Sequence, residues 1–376
     1  MNKNNEFSIY IHIPFCISKC KYCDFNSYSN KNSLIDKYVE KLILDIQESQ
    51  YFEKDRYICK TIYFGGGTPS YIDEKYIEKI LTCIKEKFKI DKNAEITIEC
   101  NPSSITENKL KTYFESGINR ISIGLQSTNN NILEIIGRKH TYEIFLEKYN
   151  LIKEIGFNNI NIDLMIGLPN QKLDDVKQDL EKVISLNPTH ISSYSLIVYE
   201  ETKMYDEILS NKYIMPSDDE EREMYYFMQD KLKKAGYNQY EISNFSKIGY
   251  ESKHNTMCWK QKEYIGFGAG AHSFINNKRM YYIDNIEKFL NTKHMIIEEE
   301  LSEIELMKEY MIIGLRMLEG IDKKQFEIIF NKKLDDVFKS EIKKLEKREL
   351  IENSKTNIKL TRKGIDFANI VWEEFI

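Results

Sequence analysis

Hydrophobic and polar positions along this chain follow two periods in turn. Short β-branched and aromatic runs, IYIHIP, TIYFGGGTP, ITIECNP and NIDLMIGLP, end at Pro14, Pro69, Pro102 and Pro169. Proline lacks the N–H that a central strand must donate, so each marks a strand's exit. Between these runs apolar residues recur every three or four positions: Leu34, Tyr38, Leu42, Ile46; then Ile77, Ile80, Leu81, Ile84, Phe88; then Val176, Leu180, Val183, Ile184. That spacing lines one face of a helix. The pattern predicts strands near 9–14, 61–64, 95–99, 120–125, 159–166 and 190–197, separated by helical segments such as 33–50, 73–88 and 174–186.

Strand and helix in alternation imply a parallel sheet with right-handed crossovers. Six such units predict an α/β fold, a partial (β/α)6 barrel over residues 1–200. A doubly wound sheet is the alternative, because periodicity does not set strand order. Residues 201–300 are less regular, rich in Tyr, Glu and Asn, and are expected to cap and link. From Leu301 the helical period returns and ends in a short β run and a helix, which predicts a small winged-helix-like domain over 301–376. That module holds 15 basic and 15 acidic side chains. It offers no basic face for phosphates, so a structural or ligand-covering role is expected.

Composition narrows the classes. The 376 residues carry 54 basic and 59 acidic side chains, a net charge of −5, so bulk nucleic-acid binding is not expected. No apolar run approaches the roughly 18 residues of a membrane span. The segment Met1 to Glu6 is polar and lacks a secretory h-region, so a cytoplasmic protein is expected. Seven cysteines, an odd number, argue against a disulfide framework.

Ligands of parallel α/β folds gather at the C-terminal ends of the strands. The unusual residues of this chain cluster there: a cysteine trio, GGGTPS, ECNP, LQS, IGRKH and GLPN. The trio, Cys16, Cys20 and Cys23, has the spacing C-x3-C-x2-C. Thiolates favour soft metals and iron–sulfur clusters, whereas structural zinc takes four ligands and the next cysteine is Cys59. Three thiolates would leave one iron of a [4Fe–4S] cluster open. Gly65, Gly66, Gly67 and Thr68 permit close backbone approach to a ligand, although a glycine run equally marks a turn. Glu99, Gln126, Arg138 and Asp163 lie at or after successive strands; carboxylates accept from ribose hydroxyls, and arginine grips a carboxylate with two hydrogen bonds.

The C-x3-C-x2-C trio resembles the signature of the radical S-adenosylmethionine (SAM) superfamily. In that superfamily SAM chelates the open iron and is cleaved when the cluster is reduced. The resemblance extends through YIHIPFC, FGGGTPS, ECNP, IGLQS, IGRKHT, NIDLMIGLP, YEISNF, SKHN..CW and GFGAGAHSF to the oxygen-independent coproporphyrinogen III oxidase group, over about residues 7–376. One branch of that group, HemN, decarboxylates coproporphyrinogen III and has a further cysteine two residues past the trio and a longer N-terminal extension. Here Phe25 occupies that position and 15 residues precede Cys16, as in the HemW branch, regarded as haem chaperones. The resemblance implies cluster ligation by Cys16, Cys20 and Cys23. It implies SAM contacts at Tyr10, Gly66, Gly67, Thr68, Glu99, Gln126, Arg138 and Asp163, with haem as cargo. An H-N-x-x-Y-W motif implicated in haem binding is matched by His254, Asn255 and Trp259, with Cys258 in the tyrosine's place. This segment is expected to cover the barrel mouth. The implied partners are haem, a haem-accepting protein and an electron donor to the cluster. Decarboxylation of coproporphyrinogen III, or radical chemistry on an unrelated substrate, are the alternatives.

Overall fold

The computed structural model describes residues 5–376. The chain opens with β1 (Glu6–Ile13), α1 (Ile35–Glu48), β2 (Ile58–Gly66), α2 (Glu74–Lys87), β3 (Ile90–Cys100) and α3 (Glu107–Glu115). It continues with β4 (Arg120–Gln126), α4 (Asn130–Ile135), α5 (Tyr142–Ile155), β5 (Asn159–Ile166), α6 (Leu173–Leu186) and β6 (His190–Ser195). The apolar stripes read from the sequence are the buried faces: Tyr38, Leu42 and Ile46 on α1, Ile77, Ile80 and Ile84 on α2. Side-chain caps start several helices, as Asp73 does for α2 and Thr141 for α5; Gly156, in the left-handed region, ends α5.

Strands β1 to β6 pair in parallel, each beside its neighbour in sequence. The order never reverses, so there is no switch point and the doubly wound alternative is excluded. Outward-facing Ile, Leu and Phe side chains pack under the helices in one core. Inward-facing positions are polar and from β2 through β6 line a common cavity, so the sheet curls into a partial barrel.

Residues 201–300 do more than cap. After α7 (Lys203–Leu209) and α8 (Asp218–Lys234), β7 (Asn238–Glu241) and β8 (Asn244–Ser246) extend the sheet beyond β6 with antiparallel pairing. After α9 (Lys253–Trp259), β9 (Tyr264–Phe267) pairs in parallel with β1. Then β10 (His272–Ile275), β11 (Lys278–Tyr281), α10 (Ile286–Asn291) and β12 (Ile296–Glu300) complete a twelve-stranded sheet among the described residues.

The C-terminal part comprises α11 (Glu303–Gly314), β13 (Ile321–Asp322), α12 (Lys323–Phe330), α13 (Leu334–Val337), α14 (Lys339–Lys347), β14 (Ile351–Asn353) and β15 (Asn357–Leu360), then α15 (Arg362–Asp366) and α16 (Ala368–Glu373). Its small sheet, ordered β13-β15-β14, closes over its own core of Met311, Phe326, Leu345, Ile358 and Val371. Phe274 of β10 joins that core and ties the module to the barrel. Among the described residues no helix is long and apolar enough to cross a membrane.

Candidate functional site

The loop after β1 carries the cysteine trio and is fastened on three sides. Cys16 and Tyr28 close it through Cys16 N–H to Tyr28 O, 3.0 Å, and Tyr28 N–H to Pro14 O, 2.7 Å. Lys21 N–H reaches Ile136 O at 3.1 Å, and its ammonium pairs with Glu207 of α7 at 2.8 Å. Asn26 donates to the carbonyls of Ala269 and Asp284 and accepts from His12 Nε2 at 2.9 Å. The glycine-rich GFGAGAHSF segment thus serves as an anchor for the cysteine loop.

One cavity of about 330 Å³ lies at the C-terminal ends of β1 to β6. Cys16, Cys20, Cys23, Gly66, Gly67, Thr68, Glu99, Gln126, Arg138 and Asp163 all line it. The structure therefore brings together residues from five strand ends that sequence alone could only place in register. Tyr10 stands behind this wall: its ring lies against Tyr63, and its hydroxyl bonds His12 Nδ1 at 3.0 Å.

Electrostatics within the cavity follow from burial. Burial pushes the Cys16 thiol up and the Cys23 thiol to about 11. Thr68 Oγ1 donates to Cys16 Sγ at 3.4 Å, and Arg138 Nη1 to Cys20 Sγ at 3.7 Å. The Cys16 and Cys23 thiols need a metal's charge to ionise, as cluster ligation supplies. Among the described residues no three His, Cys, Asp or Glu side chains converge on a point that one metal ion could share. A cubane asks for something else, since each thiolate binds a different iron. The residues fit SAM as well: Arg138 is enclosed in the cavity wall, yet its Nε has no partner. Burial raises Glu99 to about 7, against the pull of the Tyr63 hydroxyl that donates to it at 2.8 Å, and raises Asp163 to about 6.

Gly67 makes the cysteine loop's placement possible. A Cβ there would stand 3.0 Å from Cys16 Sγ and from the backbone N and O of Phe15. Backbone atoms cannot rotate aside, so Gly67→Ala should displace the loop at a cost of about 1–3 kcal/mol. Iron taken up on anaerobic reconstitution should fall well below the wild type's, with far-ultraviolet circular dichroism unchanged. Full iron incorporation would show that the loop yields.

The His254 segment lies elsewhere than expected. It does not cover the mouth: α9 seats against the inner side of the barrel, meeting β2 at Thr61 and β3 at Glu95. Glu95 accepts from the N–H groups of Lys253 at 3.2 Å and His254 at 3.1 Å, a carboxylate at a helix N-terminus. His254 is buried, with Nδ1 2.8 Å from Thr61 Oγ1 and its ring 5.0 Å from that of Tyr63. Burial, with Arg120 adding to it, pushes its pKa down to about 3. Asn255 alone of the motif lines the cavity, at its inner end. Trp259 faces a separate cleft of about 550 Å³ shared with Tyr310 and Met317, and the Arg316 guanidinium stacks 4.5 Å over its ring. Burial raises Cys258 to about 11, so it packs as a neutral thiol.

Sequence reading missed Tyr63, Arg120, Ser122, Asn161, Ser192, Tyr194 and Asn244, which share the cavity wall. Strand alternation carried a signal for Ser122 and Asn161, two positions from Gly124 and Asp163. Asn244, on a three-residue strand, had none.

Residues 10–183 match the Radical SAM superfamily and residues 301–367 the HemN C-terminal domain. The "Heme chaperone HemW" of Lactococcus lactis subsp. lactis is 37% identical, over 98% of this chain and 97% of its own length. That of Bacillus subtilis is 36% identical, over 98% and 99%. The solved structure of Escherichia coli HemN, described as a radical SAM enzyme, is similar over 100% of this chain and 91% of its own, with a TM-score of 0.85 at 22% identity. At that identity the likeness shows the fold.

Proposed function

Because the chain belongs to the HemW family of radical SAM proteins, we propose that it is a haem-binding and haem-transfer protein whose barrel carries a [4Fe–4S] cluster and binds SAM. The near full-length identity to two haem chaperones carries this reading. Phe25, two positions past Cys23 and 64% exposed, supports it over the decarboxylase.

Cys16, Cys20 and Cys23 would hold the cluster, with SAM bound beside it. When bound, the pair supplies one-electron cleavage of the sulfonium. The chain's own part is to bind and orient. The backbone of Gly66, Gly67 and Thr68 lies against the ligand. Arg138 grips the methionine carboxylate, and Glu99, Asp163 and Gln126 face the ribose. Tyr10 acts from behind, holding Tyr63 and His12 in place. Haem contact is proposed at α9, with Trp259 stacking on the macrocycle from its cleft. His254 and Asn255 join it once α9 gives up its bond to Thr61. A haem-accepting protein and an electron donor complete the scheme.

One experiment tests the reading: reconstituted protein assayed in parallel for haem binding by its Soret band and for coproporphyrinogen III decarboxylation. Haem retention with little or no decarboxylation is expected, and Trp259→Ala and His254→Ala should each weaken haem binding while leaving cluster absorbance intact. Turnover of coproporphyrinogen without haem retention would instead make the chain a decarboxylase.

A further inference from the structure

Arg120 opens β4 with its side chain turned into the barrel. In register it stands beside Thr97 of β3, while Ser122 stands beside Glu99 and Gly124 beside Asp163. The guanidinium therefore sits below both carboxylates, between the strands that carry them. The residue is only 2% exposed and lines the inner part of the cavity. Its Nε is buried without a partner. Among the described residues its guanidinium forms no ion pair with a carboxylate and no side-chain hydrogen bond.

A buried, unpaired guanidinium is costly, and this chain keeps one beside two acids. Had Arg120 paired with either carboxylate, it would have occupied the oxygens. Standing off, it supplies charge through a medium of low dielectric and leaves for a ligand the lone pairs that Tyr63 on Glu99, and Asn161 and Ser122 on Asp163, do not already use.

We propose that Arg120 is a positioning residue for the cofactor's ribose: it is the stand-off counter-charge that keeps Glu99 and Asp163 as carboxylates able to accept hydroxyl protons. This rests on the reading that those two acids face the ribose. The groups facing them are few. Around Glu99 are Tyr10 of β1, Tyr63 of β2, Cys100 beside it on β3, Asp163 of β5, Tyr194 of β6 and Arg120. Around Asp163 are Arg120, Arg138, Glu99, Tyr63, Tyr22 of the cysteine loop and Tyr194 of β6. Burial and repulsion between the two acids favour protonation; hydrogen bonds from Tyr63 to Glu99 and from Asn161 to Asp163 oppose it, as do the charge of Arg120 at both acids and that of Arg138 at Asp163. A protonated acid offers a hydroxyl donor poorer acceptance, so SAM affinity should rise with pH as the two acids ionise.

The test is SAM binding to anaerobically reconstituted protein by equilibrium dialysis between pH 6 and pH 9, with iron content as the folding check. Wild-type affinity should rise through about pH 6–7 and level off. Arg120→Gln should shift that rise upward by about one pH unit or more, so that the variant binds about tenfold more weakly at pH 7 and the gap narrows by pH 9. Arg120→Lys should keep the wild-type profile, because the charge remains. A constant gap at every pH, or no gap, overturns the inference, since lost packing has no such profile. If Arg120→Gln does not fold, Arg120→Lys carries the test, and a displaced profile in it overturns the inference. Glu99→Gln separates the two claims: wild-type affinity in that variant sinks the ribose reading itself, whatever Arg120 does.

Discussion

Replacing any one of Cys16, Cys20 and Cys23 with alanine should leave the reconstituted protein without its cluster, whereas Cys59→Ala and Cys83→Ala should keep it. The wild type should take up about four irons per chain. The expectation rests on where the seven thiols lie. The trio shares one cavity at the strands' C-terminal ends. Cys59 is sealed in the core, its thiol pushed far up by burial, and Cys83 packs on the inner face of α2. With two ligands left, a cubane loses a corner, and no other cysteine among the described residues lines that cavity except Cys100. Burial pushes Cys100 well up, and its thiol turns to the Ile98 carbonyl, so it is not poised to substitute. Iron and sulfide analysis with visible absorbance checks each variant. Stoichiometric zinc in place of iron would overturn the cluster.

The second large effect is at Arg138. Arg138→Ala should weaken SAM binding by about 1.5–3 kcal/mol, the worth of a hydrogen bond to a charged group. That is roughly a 10- to 150-fold rise in Kd at about 1.4 kcal/mol per decade. The guanidinium is already oriented towards the cysteine loop. Its Nη2 donates to the Gly124 carbonyl at 2.6 Å, and Nη1 donates to Cys20 Sγ at 3.7 Å. Its place comes from α4, whose C-terminal turn brings Arg138 N–H to Leu133 O at 2.8 Å. Anaerobic equilibrium binding with the cluster intact is the measurement. Arg138→Lys should recover only part of the affinity, because one ammonium cannot make the paired bonds of a fork. Unchanged affinity in Arg138→Ala would remove it from the site.

Much of the chemistry was legible before folding because its residues are local. The C-x3-C-x2-C spacing, the proline exits and the apolar stripes of α1, α2 and α6 are each set within some twenty residues. Gly66, Gly67, Thr68, Glu99, Gln126, Arg138 and Asp163 could be nominated one by one, since each lies in or after a strand and parallel strands end on one side. Their convergence on one cavity follows from the sequential strand order, which periodicity leaves open.

What only tertiary structure decided are the features made by contacts distant in sequence. The position of α9 depends on Glu95, some 160 residues earlier, whose carboxylate meets the helix's free N–H groups at the inner end of the barrel. Without that contact the helix could as well have been drawn over the mouth. The extension of the sheet by β7 to β12 was invisible, because strands of three to five residues carry too few alternations to set a period. Arg120 was not singled out for a related reason: nothing in the sequence marks a charge at the start of a strand as buried. Alternation fixes which side of β4 it occupies, but the curl of the whole sheet turns that side into a closed interior. There the same guanidinium becomes a buried cation facing two acids from neighbouring strands.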